Sequence, residues 1–130
     1  MEEPELVNIA STMEQRACET PLQRAIVFPH SRDRNGNVAW THLTFQQLNR
    51  LTDAYAYGLT DTGVKRGDRV SLLVKPCLEF IPLVFAIFKI GAVPVLIDPG
   101  MGREGFLRCI KHIKPRVLIG EPIAHVIRTV

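Results

Sequence analysis

The stretch VSLLVKPCLEFIPLVFAIFKIGAVPVLIDPG, Val70 to Gly100, decides the fold. Its two ends, Val70 to Val74 and Val93 to Ile97, are short unbroken aliphatic runs, the pattern of strands buried on both faces. Between them Leu78, Ile81, Phe85 and Phe88 recur at helical spacing, on a helix that is apolar nearly all round and ends before Gly91. Pro82 fits such a helix only in or near its first turn, where no backbone N–H is needed. Strand, helix and strand in this order, without polar alternation, call for a parallel sheet covered by helices on both faces.

On the C-terminal side the chain continues as IGAVPVLIDPGMGREGFLRC, Ile90 to Cys109, in which Gly100, Gly102 and Gly105 spell G-x-G-x-x-G between a strand and a helix expected from about Arg103 to His112. In a dinucleotide turn such glycines let the backbone approach a pyrophosphate at a helix N-terminus, and an acid follows the next strand. Here Val117 to Ile119 is that strand and Glu121 that acid. Two details oppose the reading. Asp98-Pro99 separates strand from first glycine, with Pro99 forcing Asp98 toward an extended conformation. The fingerprint also belongs to the opening strand of its fold, whereas much α/β-like sequence precedes this one. A Gly-rich strand-to-helix connection, with Asp98 as a turn or cap residue rather than a catalytic one, is the competing reading. A last helix is expected to begin near Pro122.

On the N-terminal side Thr44 and Gln47 form a T-x-x-Q capping box before Phe45, Leu48, Leu51, Tyr55 and Leu59, a helix reaching about Asp61 with Gly63 as its stop. Asp53 and Asp61 read as its solvated polar face. Before it, Ala25 to Phe28 and Val38 to Leu43 flank the polar stretch His30 to Asn37, whose Asn35-Gly36 suggests a hairpin tip. The first helix is capped by Asn8 and runs to about Glu19, with Ile9, Met13 and Ala17 on its buried face and Pro21 closing it. The fold class is therefore α/β, an incomplete doubly wound parallel sheet preceded by a small helix and a hairpin-like element. It forms a single partial domain over residues 1–130, since no linker, repeat or low-complexity segment divides the chain.

Composition narrows the function. Hydrophobic residues are 46% of the chain and charged residues 22%, ordinary for a globular protein with a real core. The net charge of +3 comes with no block of like charge, which gives no footprint for nucleic acid. Cys18, Cys77 and Cys109 are odd in number and far apart, which argues against disulfides or zinc and for a reducing compartment, each cysteine serving as a small buried hydrophobe. The acidic start lacks a signal peptide, and Phe80 to Phe88 is too short to span a bilayer, so a cytoplasmic protein without a transmembrane segment is expected.

Known catalytic patterns are missing. His30, His42, His112 and His125 show no i, i+4 pairing for a metal, and Ser11, Ser31 and Ser71 lie in no G-x-S-x-G elbow. No G-x-x-x-x-G-K-[ST] loop is present. A phosphoacceptor receiver domain would need an acidic pair after its first strand, but Lys75 and Pro29 follow the candidate strands.

Three stretches together carry a family resemblance: NIASTMEQRACETP, then WTHLTFQQLNRLTDAYAYGLTDTGVKRGDRVSLLVK, then EFIPLVFAIFKIGAVPVLIDP. They resemble the N-terminal part of the adenylate-forming superfamily of acyl-CoA synthetases. Leu43 to Leu48 matches its L-T-Y-x-E-L segment with Phe45 and Gln47 substituted, Gly63 to Val70 its G-V-x-x-G-D-x-V, and Lys89 to Pro99 its K-A-G-A-x-x-x-P-x-D-P with Ile90 for Ala. The continuation Asp98 to Ile110 is similar to the branch whose members make β-lactones in long-chain olefin biosynthesis. The resemblance implies ATP and Mg2+ as cofactors of a longer enzyme, with coenzyme A as a possible acceptor, and a small-molecule acyl substrate. It also implies that the glycine turn is scaffold, and that the nucleotide loop, the magnesium-binding acid, the ribose-holding Asp and the adenylation Lys all lie outside residues 1–130. No catalytic, cofactor-binding or metal residue is therefore expected in this chain, which reads as a truncated, inactive piece that self-associates through an open sheet. The alternative is a free-standing nucleotide-binding or protein-interaction module.

Overall fold

The structure, a computed structural model, describes residues 7–120. Helix α1 (Ala10–Glu19) is followed by an antiparallel hairpin of β1 (Arg24–Arg32) and β2 (Val38–Thr44), then by helix α2 (Phe45–Asp61). Strand β3 (Arg69–Leu73), helix α3 (Phe80–Lys89), strand β4 (Val93–Leu96), a single 3-10 turn (Pro99–Met101), helix α4 (Gly102–Ile113) and strand β5 (Val117–Gly120) follow among the described residues. The expected last helix and Glu121 lie outside the described residues, as does His125.

The local reasons are the ones read from the sequence. Thr44 Oγ1 accepts the Gln47 N–H at 3.3 Å while Gln47 Oε1 accepts the Thr44 N–H at 2.9 Å, so both halves of the capping box form. At the far end of α2 the Val64 N–H reaches back to the Leu59 carbonyl at 3.1 Å and closes the last turn. Pro82 is the third residue of α3, where its missing N–H costs nothing. Gly91 ends α3 at φ +74, and a Cβ there would stand 2.9 Å from Arg66 Cγ, so only glycine fits without displacing a neighbour.

Strands β3, β4 and β5 form a parallel sheet in the order β4-β3-β5, with Ser71 between Val95 and Leu118. Because the chain leaves β3 for one side and returns across it to the other, right-handed crossovers place α3 and α4 on opposite faces. This is the doubly wound arrangement. On the α2/α3 face Val70 and Leu72 pack with Ala56, Leu59, Val64, Ala86, Ile87 and Ala92, and Val117 and Ile119 extend the cluster. Each buried Leu, Ile or Val there contributes about 1.5–3 kcal/mol. Ser71 points to the other face, fully buried, and its hydroxyl has no hydrogen-bond partner among the described residues.

Three expectations are corrected. The hairpin strands are longer than Ala25 to Phe28 and Val38 to Leu43, because cross-strand pairing carries β1 through Pro29 to Arg32 by way of two register shifts. The buried face of α1 is Ala10, Met13 and half-buried Ala17; Ile9 is exposed, since the helix begins one residue later than expected. Asn8 still acts at the helix entry, accepting the Ala10 N–H at 3.0 Å, and its side-chain amide donates to the Phe88 carbonyl at 2.7 Å. The cysteines are not core residues. Cys18 is exposed because it follows Ala17 by one position, about 100° round the helix, and Cys77 and Cys109 are only half-buried.

Candidate functional site

In an open parallel sheet, ligands sit beyond the carboxyl ends of neighbouring strands whose connections depart to opposite faces. Here those strands are β3 and β4, so the candidate crevice lies between the 74–79 connection and the Asp98–Met101 turn. The G-x-G-x-x-G segment therefore stands where a nucleotide turn would stand.

Its chemistry is wrong for a phosphate. Asp98 Oδ1 accepts the Gly100 N–H at 2.8 Å and caps the 3-10 turn, as its turn-or-cap reading expects. A carboxylate thus fills the place and uses the donor that a phosphate would take, and its negative charge would repel one. Only Gly102, at φ +75, needs to be glycine for conformational reasons; a Cβ on Gly105 would meet Met101 at an ordinary 3.5 Å. In this turn the Gly100 N–H is therefore already taken by a carboxylate.

Two titratable groups stand beside the 74–79 connection, Cys77 and Tyr55. Burial first, with the side-chain hydrogen bond and charge of Glu79, pushes the Cys77 thiol up against the opposing backbone hydrogen bonds of Glu79 and Phe80, so it is less nucleophilic than an ordinary cysteine. Burial likewise pushes the Tyr55 phenol up, with the charges of Glu79 and Cys77 adding to the effect. Among the described residues no group of three or more His, Cys, Asp or Glu side chains could hold a metal ion. His30, His42 and His112 are exposed and apart, on β1, β2 and α4. Ser11 donates to the Asn8 carbonyl at 2.8 Å, Ser31 is exposed on β1, and Ser71 is buried under the sheet's second face. No described helix is long and apolar enough to cross a membrane.

Two charged arrangements escape the sequence reading. Lys89, at the end of α3, donates to Asp53 Oδ1 of α2 at 2.5 Å and also pairs with Glu14 of α1, tying three helices together. Burial opposes its charge, but the hydrogen bonds of Asp53 and Glu14 outweigh that and hold the Lys89 ammonium above the usual lysine range. Asp53 is thus a cross-helix partner, not only part of a solvated face. At the opposite end of the sheet from the crevice, Arg69, Lys114 and Arg116 line one concavity of about 380 Å³ with Gly67, Asp68 and Pro115.

The geometry has close counterparts. A family profile described as AMP-binding enzyme matches residues 13–129. The olefin beta-lactone synthetase of Stenotrophomonas maltophilia is 44% identical over 125 residues, which is 95% of this chain and 23% of the relative. That of Xanthomonas campestris is 41% identical over 124 residues, 95% of this chain and 22% of the relative. The long-chain-fatty-acid–CoA ligase FadD13 of Mycobacterium tuberculosis is 33% identical over 121 residues, 92% of this chain and 22% of the relative. Among solved structures, the N-terminal domain of FACL13 from Mycobacterium tuberculosis superposes with a TM-score of 0.78 at 25% identity, covering 95% of this chain and 29% of that one. The chain spans under a quarter of the length of these curated relatives.

Proposed function

The chain belongs to the AMP-binding enzyme family, and from that premise we propose that it forms the N-terminal part of an ATP-dependent acyl-adenylating ligase. In that reading a substrate carboxylate oxygen attacks the α-phosphorus of ATP, a new P–O bond forms, and pyrophosphate leaves with the bonding pair. Magnesium would screen the phosphates during this step. The described residues contribute a scaffold: a β-α-β core that fixes the crevice walls, with no nucleophile or general base of their own.

The observation that carries the finer assignment is the step in identity between relatives. The two olefin beta-lactone synthetases stand at 44% and 41% over 95% of the chain, whereas the acyl-CoA ligase stands at 33% over 92%. We infer a β-hydroxy fatty acid as substrate. Its β-hydroxyl oxygen would attack the acyl carbon of the adenylate, lose its proton, and expel AMP to close a four-membered lactone. The acyl-CoA reading differs only in the acceptor, the thiol of coenzyme A.

The test is ATP–pyrophosphate exchange on the gene's full product, with fatty acids and β-hydroxy fatty acids side by side, next to the 130-residue chain. Exchange by the full product with β-hydroxy acids, and none by the 130-residue chain, is the expected result. Acyl-AMP formed by the 130-residue chain would overturn the assignment of chemistry to residues outside it, and no exchange by the full product would overturn the ligase reading itself.

A further inference from the structure

The concavity at the amino ends of β3 and β5 gathers three cations. The Arg116 N–H bonds the Arg69 carbonyl at 2.8 Å, so Arg69, the first residue of β3, and Arg116, the residue just before β5, stand side by side, at the roughly 4.8 Å spacing of a sheet. Like charges placed this way repel. Lys114 joins them two residues earlier, and it is the non-glycine residue among those described with positive φ, +50. That position ends α4 in the left-handed conformation that glycine or asparagine adopts more cheaply. That cap fixes Lys114 where it lines the same concavity as the two arginines.

Charge compensation among the described residues is weak. Among the described residues Asp68 is the one carboxylate lining the concavity, and its Oδ2 is already engaged by the Lys65 N–H at 2.8 Å. None of Arg69, Lys114 and Arg116 makes a side-chain hydrogen bond or ion pair with a described residue, although Arg116 Nη2 also lies near Gly63 at the end of α2, where a cation suits the helix dipole.

We propose that Arg69, Lys114 and Arg116 form a binding site for a small phosphate-bearing anion, separate from the crevice at the carboxyl ends of the strands. Three cations around a concave, largely polar surface suit an anion carrying two or more charges, such as a polyphosphate, better than a flat lipid surface. The guanidinium groups can each supply paired donors, and Lys114 a point charge.

The experiment uses the 130-residue chain at low ionic strength and inorganic pyrophosphate as probe, with binding read by calorimetry and by the shift in Tm. Vesicles containing phosphatidylglycerol form a parallel arm, because a lipid headgroup offers the same phosphate. Wild type is expected to bind pyrophosphate, more weakly as salt is added. R69Q and K114G should each weaken binding roughly two- to fivefold, the range for one exposed charge contact. K114G carries a second signature that a purely structural lysine would not show with it: relief of the left-handed strain should raise the unliganded Tm by roughly 2–5 °C while binding falls. Absence of any pyrophosphate binding, binding by R69Q and K114G as tight as that of wild type, or vesicle binding without pyrophosphate binding would each overturn the proposal.

Discussion

Replacing Lys89 with methionine should loosen helix α1 from the rest of the molecule, and the size of the effect follows from the geometry. Lys89 is about one quarter exposed, against 39% for Asp53 and 50% for Glu14, so solvent screens both contacts and neither deserves the energy of a buried pair. Exposed ion pairs contribute about 0.2–1 kcal/mol each. K89M also leaves two carboxylates facing one another, which adds a repulsion of similar size. The expected loss is about 1–2 kcal/mol, a fall in Tm of roughly 3–8 °C for a chain of this length, with the stem packing retained by methionine. Urea unfolding of K89M, D53N, E14Q and the triple variant forms the cycle. The triple variant should recover part of the K89M loss, because it removes the facing charges as well. The pH dependence has a definite sign. With its pKa raised on folding, Lys89 contributes fully below the usual lysine value and the contribution disappears as pH rises through the folded value, so wild type and K89M should converge at strongly alkaline pH. A K89M stability within 0.3 kcal/mol of wild type, or strict additivity across the cycle, would refute the clasp.

Further outcomes follow from other positions. S71A should stabilise the chain by about 1 kcal/mol, since it removes a buried hydroxyl without a described partner; chemical denaturation checks it, and a loss of stability would mean that the hydroxyl is bonded. In the glycine turn, G105A should be neutral or stabilising by up to about 1 kcal/mol inside α4, whereas G102A should cost about 1 kcal/mol or more at φ +75; equal sensitivity at both would revive a phosphate-binding turn. At the hairpin tip the Asp33 carboxylate accepts from the Asn37 side chain and from the Asn35 and Asn37 N–H groups, and these hold its carboxyl below the usual range. That contribution is present above the ordinary carboxylate value and is lost as pH falls through the lower folded value, so amide exchange at Asn35 and Asn37 should quicken in acid and become pH-insensitive in D33N beyond the intrinsic rate. Finally, β4 is an edge of the described sheet with Val93 and Leu96 exposed, and we expect this chain to self-associate there by itself; a clean monomer at high concentration in light scattering would exclude it.

What the sequence discloses is what depends on near neighbours. The capping box of α2, the stop at Gly63, Pro82 in the first turn of α3 and the parallel strands flanking it are all decided within a few residues, and each stands where expected. The exposure of Ile9 against Ala10 turns on a one-residue shift in where α1 starts, a boundary that composition does not fix. Half-burial of Cys77 and Cys109 depends on which side of a connection or helix the core occupies, and residue type is a poor guide to that. The Lys89 clasp joins residues on three helices, and its members look like ordinary surface charges until those helices are packed. Arg69 and Arg116 become neighbours only once β5 is in register with β3. The cap that Asp98 places on Gly100 was one of two readings open to the glycine turn, and that contact is made between residues two apart in the chain.

The order β4-β3-β5 has a consequence for how the molecule is born. During synthesis β3 leaves the ribosome before either neighbour, gains β4 after one helix, and waits through a second helix for β5. Throughout that interval its second hydrogen-bonding edge is open, and Ser71 and the second face of the sheet lack α4 as a cover. All residues of α1, α2 and α3, with those of the Lys89 clasp and the Thr44 cap, precede β4 in the chain and are made before the sheet gains its third strand. Codon-level pausing just after β4 should therefore lengthen exposure of a sticky strand, while pausing after β5 should not.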